Sequence, residues 1–142
     1  MPENFGHAGN PFPSPADMAG AAPHPMEAAG VQEWERTYAM FTHLTLLAYH
    51  FIPVPVVPAL VMWLIKKDES AFIKDHGREV VNFHITLVIY GLISLPLVYA
   101  CGIGLVFLLA AYVLGIVGMI LGAVAANKGR FYRYPACLRL IG

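Results

Sequence analysis

The chain has 142 residues, one domain's worth at most, of which 58% are hydrophobic and 13% charged. A soluble domain carries about 25% charged residues, so this composition excludes an ordinary water-covered globule. Net charge is zero, but its distribution is uneven: −4 over residues 1–36, balanced over 66–79, and +4 after residue 126.

Residues 1–30 hold six of the eleven prolines, and their apolar residues are mostly alanine. Such a segment has little to bury against the cost of ordering, and a disordered tail is expected. It has neither a basic start nor an early apolar run, so no signal peptide is expected. The remainder, 31–142, reads as a membrane domain.

The first apolar segment covers about 34–52, with Trp34 and Tyr38 at its start as an interfacial pair would be. As a helix it would measure about 28 Å, close to the hydrocarbon thickness. Pro53, Pro55 and Pro58 then interrupt any regular helix. A shorter apolar piece, about 56–66, ends at Lys66, Lys67, Asp68 and Glu69. A single helix over 34–65 would be about 48 Å long, well beyond a bilayer core, which favours a proline-turned hairpin. The alternative is three spans with a kinked first helix.

Residues 66–78 read as a polar loop. A third segment runs over about 79–100, with Pro96 kinking its end, and Gly102 and Gly104 mark a turn. The last segment, 105–126, carries no charge and stops at Asn127, Lys128 and Gly129. Two spans separate the 66–78 loop from the tail, so both lie on one side. Each carries four basic residues counting Arg78, which makes that side cytoplasmic. The hairpin puts the N-terminal tail there as well, and the three-span alternative puts it outside. The fold class is therefore an all-α integral membrane bundle of four apolar segments.

Several clusters could carry chemistry. Gly115, Gly118 and Gly122 recur at helical spacing and let helices approach closely, within this chain or in a homodimer. His76, Arg78, Glu79 and Asn82 open the third segment, where Glu79, Asn82 and Thr86 share one helix face. They read as a polar site at the cytoplasmic mouth, or as a clamp pinning the tail through pairs such as Glu79 with Lys128 or Arg130. The tail over 127–142 alternates bases with aromatics, and Lys128, Arg130, Tyr132, Arg133 and Tyr134 suit lipid headgroups better than nucleic acid. His43, His50 and His84 could ligate a cofactor, but no second helix offers a matching pair at the same depth, and none is expected. Cys101 and Cys137 show no disulfide or metal spacing. No hydrolase, phosphate-loop or zinc motif supports an enzyme.

Four blocks carry a resemblance: Thr42-His43-Leu44, Met62 to Ser70, His76 to Phe83, and Ala126 to Pro135. Over roughly 34–141 they resemble a widespread bacterial family of small, functionally uncharacterised membrane proteins. That family is similar to the chloroplast inner-envelope translocon channel subunit of the Tic-twenty type. It includes magnetosome-membrane proteins that influence magnetite crystal size and maturation. The resemblance and the residues together imply a non-enzymatic scaffold or accessory subunit of the bacterial cytoplasmic membrane. It would pack with itself or other membrane proteins. A translocon-like conduit and a histidine-ligated cofactor carrier are the alternatives.

Overall fold

In a computed structural model, described over residues 27–50 and 56–141, the chain is all helical, and the described residues hold no strand. Four α-helices follow one another: α1 (Glu33–Leu44), α2 (Val56–Lys66), α3 (Ala71–Cys101) and α4 (Gly104–Asn127). A 3-10 segment, Thr45–His50, extends α1. The N-terminal tail over 1–26, together with Pro53 and Pro55, lies outside the described residues.

The Glu35 carboxylate caps α1 by accepting from the Gln32 amide at 2.7 Å. Near its end, Thr42 and Thr45 turn their hydroxyls onto the carbonyls of Tyr38 and Thr42. Such back-bonding competes with the α-helical pattern and accompanies the change to the tighter 3-10 form. Pro58 is tolerated in the first turn of α2, where amide hydrogens have no helical acceptor. α1 and α2 run antiparallel: the Tyr38 hydroxyl donates to the Met62 carbonyl at 2.7 Å, and the Lys66 ammonium lies 5.6 Å over the Trp34 ring. The 34–65 stretch is thus a hairpin rather than one kinked span. Its second limb, α2, is about 16 Å long and too short to cross a bilayer core.

α3 begins earlier than expected. Most of the 66–78 stretch is helix, and only residues 67–70 connect α2 to it. The hydroxyl of Ser70 accepts from the Ile73 amide as N-cap, Asp75 pairs with Arg78 one turn on, and Phe72, Ile73, His76 and Gly77 are buried. The charges that made this stretch look like a loop lie on the outward side of an amphipathic start. At the other end α3 runs through Pro96 to Cys101. Gly102 closes it with φ of 73°, and its amide bonds the Val98 carbonyl. Gly104 then lets α4 pass directly against the α3 backbone at Ser94 and Val98. α4 ends in a Schellman motif, with Arg130 N on the Ala125 carbonyl, Gly129 N on that of Ala126, and Gly129 at φ of 68°.

Among the described residues, α3 and α4 are the two helices long and apolar enough to cross a membrane. Only 22% of the most apolar stretch of α4 is buried, which is not how the core helix of a soluble protein behaves. Burial is also uneven along the pair. Eleven of the twelve buried residues of α3 lie at or before Thr86, and five of the six in α4 lie at or after Gly118. The α1–α2 hairpin and the tail cover only this near half, around Phe83, Val80, Met119 and Leu46.

Candidate functional site

The near half encloses a polar network, and the direction of its hydrogen bonds can be worked out from one carbonyl. His76 Nε2 lies 3.1 Å from the Arg130 carbonyl oxygen, which can only accept, so Nε2 carries the proton. In a neutral ring Nδ1 then accepts, and the atom facing it at 2.8 Å, His43 Nε2, must donate. That leaves His43 Nδ1 as an acceptor, and the Tyr134 hydroxyl donates to it at 2.6 Å. One chain of hydrogen bonds thus runs from the tail through α1 and α3 and back to the tail. Every ring nitrogen of both histidines is used within it.

Aromatic rings wall this chain. Tyr134 stacks on Phe83 at 3.9 Å and 12°, Phe72 lies 4.4 Å from the His76 ring, and Phe131 stacks beyond it at 6.1 Å. Close approach is possible because α4 presents glycines here. A methyl on Gly122 would strike the His43 ring, one on Gly118 would meet Tyr134 at 2.9 Å, and one on Gly115 would press Leu87 at 3.3 Å. Gly115, Gly118 and Gly122 therefore face the chain's own side chains. Burial pushes the Tyr134 phenol well above its ordinary range, and it also raises the Cys137 thiol.

The face of α3 that carries Glu79, Asn82 and Thr86 meets the last residues of the tail. Asn82 Oδ1 accepts from the amides of Leu140 and Ile141 at 3.1 and 2.8 Å, and its Nδ2 donates to the Ile141 carbonyl at 3.0 Å. Thr86 Oγ1 accepts from the Leu138 amide at 3.0 Å, and the Tyr90 hydroxyl donates to the Ala136 carbonyl at 2.6 Å. These side chains serve extended tail backbone as a neighbouring strand would. Irregular backbone that is shut off from water needs such partners.

Charge pairs complete the clamp. Arg133 reaches the Asp75 carboxylate with both terminal nitrogens, at 2.5 and 2.9 Å, and Asp75 holds the Arg133 guanidinium above its ordinary value. Glu79 Oε1 takes Arg139 at 3.0 Å and Arg133 at 3.7 Å, while Oε2 has no partner among the described residues. The expected partners Lys128 and Arg130 are not at Glu79: Arg130 pairs with Glu27 at 3.4 Å, and Lys128 is the exposed C-cap of α4. Of the five tail residues expected to meet lipid headgroups, Lys128 is exposed and Tyr132 half-buried, and the other three meet the protein itself. Tyr134 is in the core, and Arg130 and Arg133 have protein carboxylates, because the Schellman turn at Gly129 reverses the chain onto α3.

Sequence reasoning missed the pairing of His43 with His76, which are 33 residues apart, and the roles of Asp75, Tyr90, Tyr134 and Arg139. The available signal was the unusual density of polar residues at the head of an otherwise apolar helix. Among the described residues no group of three or more histidine, cysteine or acidic side chains is arranged to hold a metal ion.

Fold and site together define a small helical protein with two bilayer-length apolar helices and a tail tied to one of them by a buried polar network. The chain belongs to the MamF/MmsF magnetosome magnetite crystal formation protein family, whose model matches residues 34–141. Neither a curated protein nor a solved structure matches it, and the likeness to the translocon subunit has no counterpart among these matches.

Proposed function

We propose that this protein is a non-enzymatic accessory of magnetite crystal formation that acts from within a membrane, as a scaffold held by helix packing. The observation that carries the membrane reading is the outward face of α3 and α4. Leu92, Tyr99, Leu105, Val106 and Leu109 are each at least 60% exposed, on helices about 46 and 36 Å long. Water would not tolerate so large a contiguous apolar surface, whereas lipid would cover it. The family supports the setting of crystal formation. The basic residues at and around the α2–α3 connection (Lys66, Lys67, Lys74 and Arg78) and those of the tail (Lys128, Arg130, Arg133 and Arg139) support a cytoplasmic near half, with both helices crossing the cytoplasmic membrane or a vesicle derived from it.

In this reading the polar clamp is structural: His76, Glu79 and Asn82 hold the tail on α3 and so shape the cytoplasmic face, whereas Arg78 pairs with Asp75 on its own helix and does not reach the tail. Deleting the gene in a magnetite-forming bacterium tests the role. A shift in crystal size distribution, restored by the intact gene, is expected, with the tagged protein in the alkali-resistant membrane fraction. Unchanged crystals, or a protein released from membranes by alkaline washing, would overturn it.

A further inference from the structure

Resting on the bilayer-crossing reading above, the uneven burial of α3 and α4 has a consequence for shape. We propose that the protein is a membrane wedge that concentrates in highly curved bilayers, with its broad near half in the convex leaflet.

The hydrocarbon core takes about 20 residues of each helix, which corresponds to Leu105–Val124 on α4 and Val81–Ala100 on α3. Among the described residues, only these two helices reach the Gly102 end. Eleven of the twelve buried residues of α3 lie at or before Thr86, and the stretch from there to Cys101 is about 23 Å long. At the other end the same two helices are joined by α1, its 3-10 extension, α2 and the tail. Helices are about 10 Å wide, so the cross-section roughly doubles from one end to the other.

The added elements are themselves lipid-facing. α2 exposes Val57, Val61, Leu64 and Ile65 at spacings of four, three and one, a single helical stripe 47–63% exposed. Leu46 and Leu47 of the 3-10 segment reach the level of Leu87, Gly91 and Gly115. Counted from Val81, Leu87 and Gly91 lie about 9 and 15 Å into the core, so the hairpin fills most of one leaflet. The tail adds Leu138 and Leu140, which are 43% and 61% exposed. All of these additions enter from one side. The wedge therefore expands the near leaflet and leaves the far leaflet with two helices.

The test reconstitutes the full chain into phosphatidylcholine–phosphatidylglycerol vesicles of two sizes, about 30 and 200 nm across, and measures protein per unit of lipid area. At least about threefold enrichment in the small vesicles is expected. In the small vesicles Cys101, exposed at the narrow end, should also be shielded from a membrane-impermeant maleimide in a Cys137→Ser background. The double variant Val61→Asn, Leu64→Asn alters only surface positions of α2 and should bring the enrichment back to parity while α3 and α4 stay inserted. Equal density of the wild-type protein in both sizes, equal labelling of Cys101, or undiminished enrichment in the variant each overturn the wedge and leave the membrane reading standing. Failure to incorporate into either vesicle would overturn the membrane reading and the wedge together.

Discussion

Tyr134 has to satisfy two requirements at once: its ring stacks on Phe83, and its hydroxyl must find an acceptor inside the protein. Tyr134→Phe keeps the stack but leaves His43 Nδ1 buried without a donor, and it should cost about 1–3 kcal/mol. Thermal unfolding in mild detergent reads that cost. The same variant changes the response to alkali. Burial holds the folded phenol well above its ordinary value, while the unfolded chain ionises near pH 10. Stability from this group is therefore fully present below about pH 10 and is lost as pH rises beyond it. The wild-type protein should weaken across that range, and the variant should weaken less, retaining the smaller contribution of Tyr132, whose phenol is also raised by burial. An equal alkaline slope in the two proteins would contradict the burial of this hydroxyl. Nothing in the residue order announced this role. A tyrosine among arginines beside a membrane span has the composition of an interfacial belt, and only the reversal at Gly129 turns it inward.

At the scale of elements, the tail depends on α3. Asn82 alone makes three hydrogen bonds to the backbone of Leu140 and Ile141. Asn82→Ala should free the last residues at a cost of about 2–3 kcal/mol locally, since each lost bond contributes about 1 kcal/mol. Hydrogen exchange should then rise at the amides of Leu140 and Ile141 while those of α4 stay protected, and unchanged exchange would contradict the ladder. The helix face behind this was legible, because Glu79, Asn82 and Thr86 follow the 3.6-residue period. The occupant of that face was not legible. Asn82 and Thr86 recognise backbone amides and carbonyls, and such recognition leaves no mark on the side chains of its partner. The early start of α3 was missed for a related reason: its first turns carry charges on one side and Phe72, Ile73 and His76 on the other.

The whole molecule divides into a packed near half and a bare far half, and glycine substitutions should report the division. Gly122→Ala drives a methyl into the His43 ring and should destabilise by about 1–3 kcal/mol, because the ring is held by hydrogen bonds at both nitrogens. Gly91→Ala, at a position with nothing within 4 Å, should be neutral or stabilising by up to about 1 kcal/mol. Unfolding in detergent compares the two, and equal effects would contradict the uneven packing.

Sequence pattern alone establishes that the protein is helical and apolar, where α4 begins and ends, and that the first stretch folds back as two limbs. These follow from periods, lengths and breakers, which act locally. Only the tertiary structure decided that the hairpin and the tail both pack on one half of α3 and α4. It alone also brought His43, His76 and Tyr134 into one hydrogen-bond chain. Those outcomes depend on contacts 33 and 91 residues apart, set by the depth of the hairpin and the angle of one glycine turn. The apolar segments that identified the chain are thus of two kinds: α3 and α4 are long enough to cross a bilayer, while α2 is too short and only helps thicken one side.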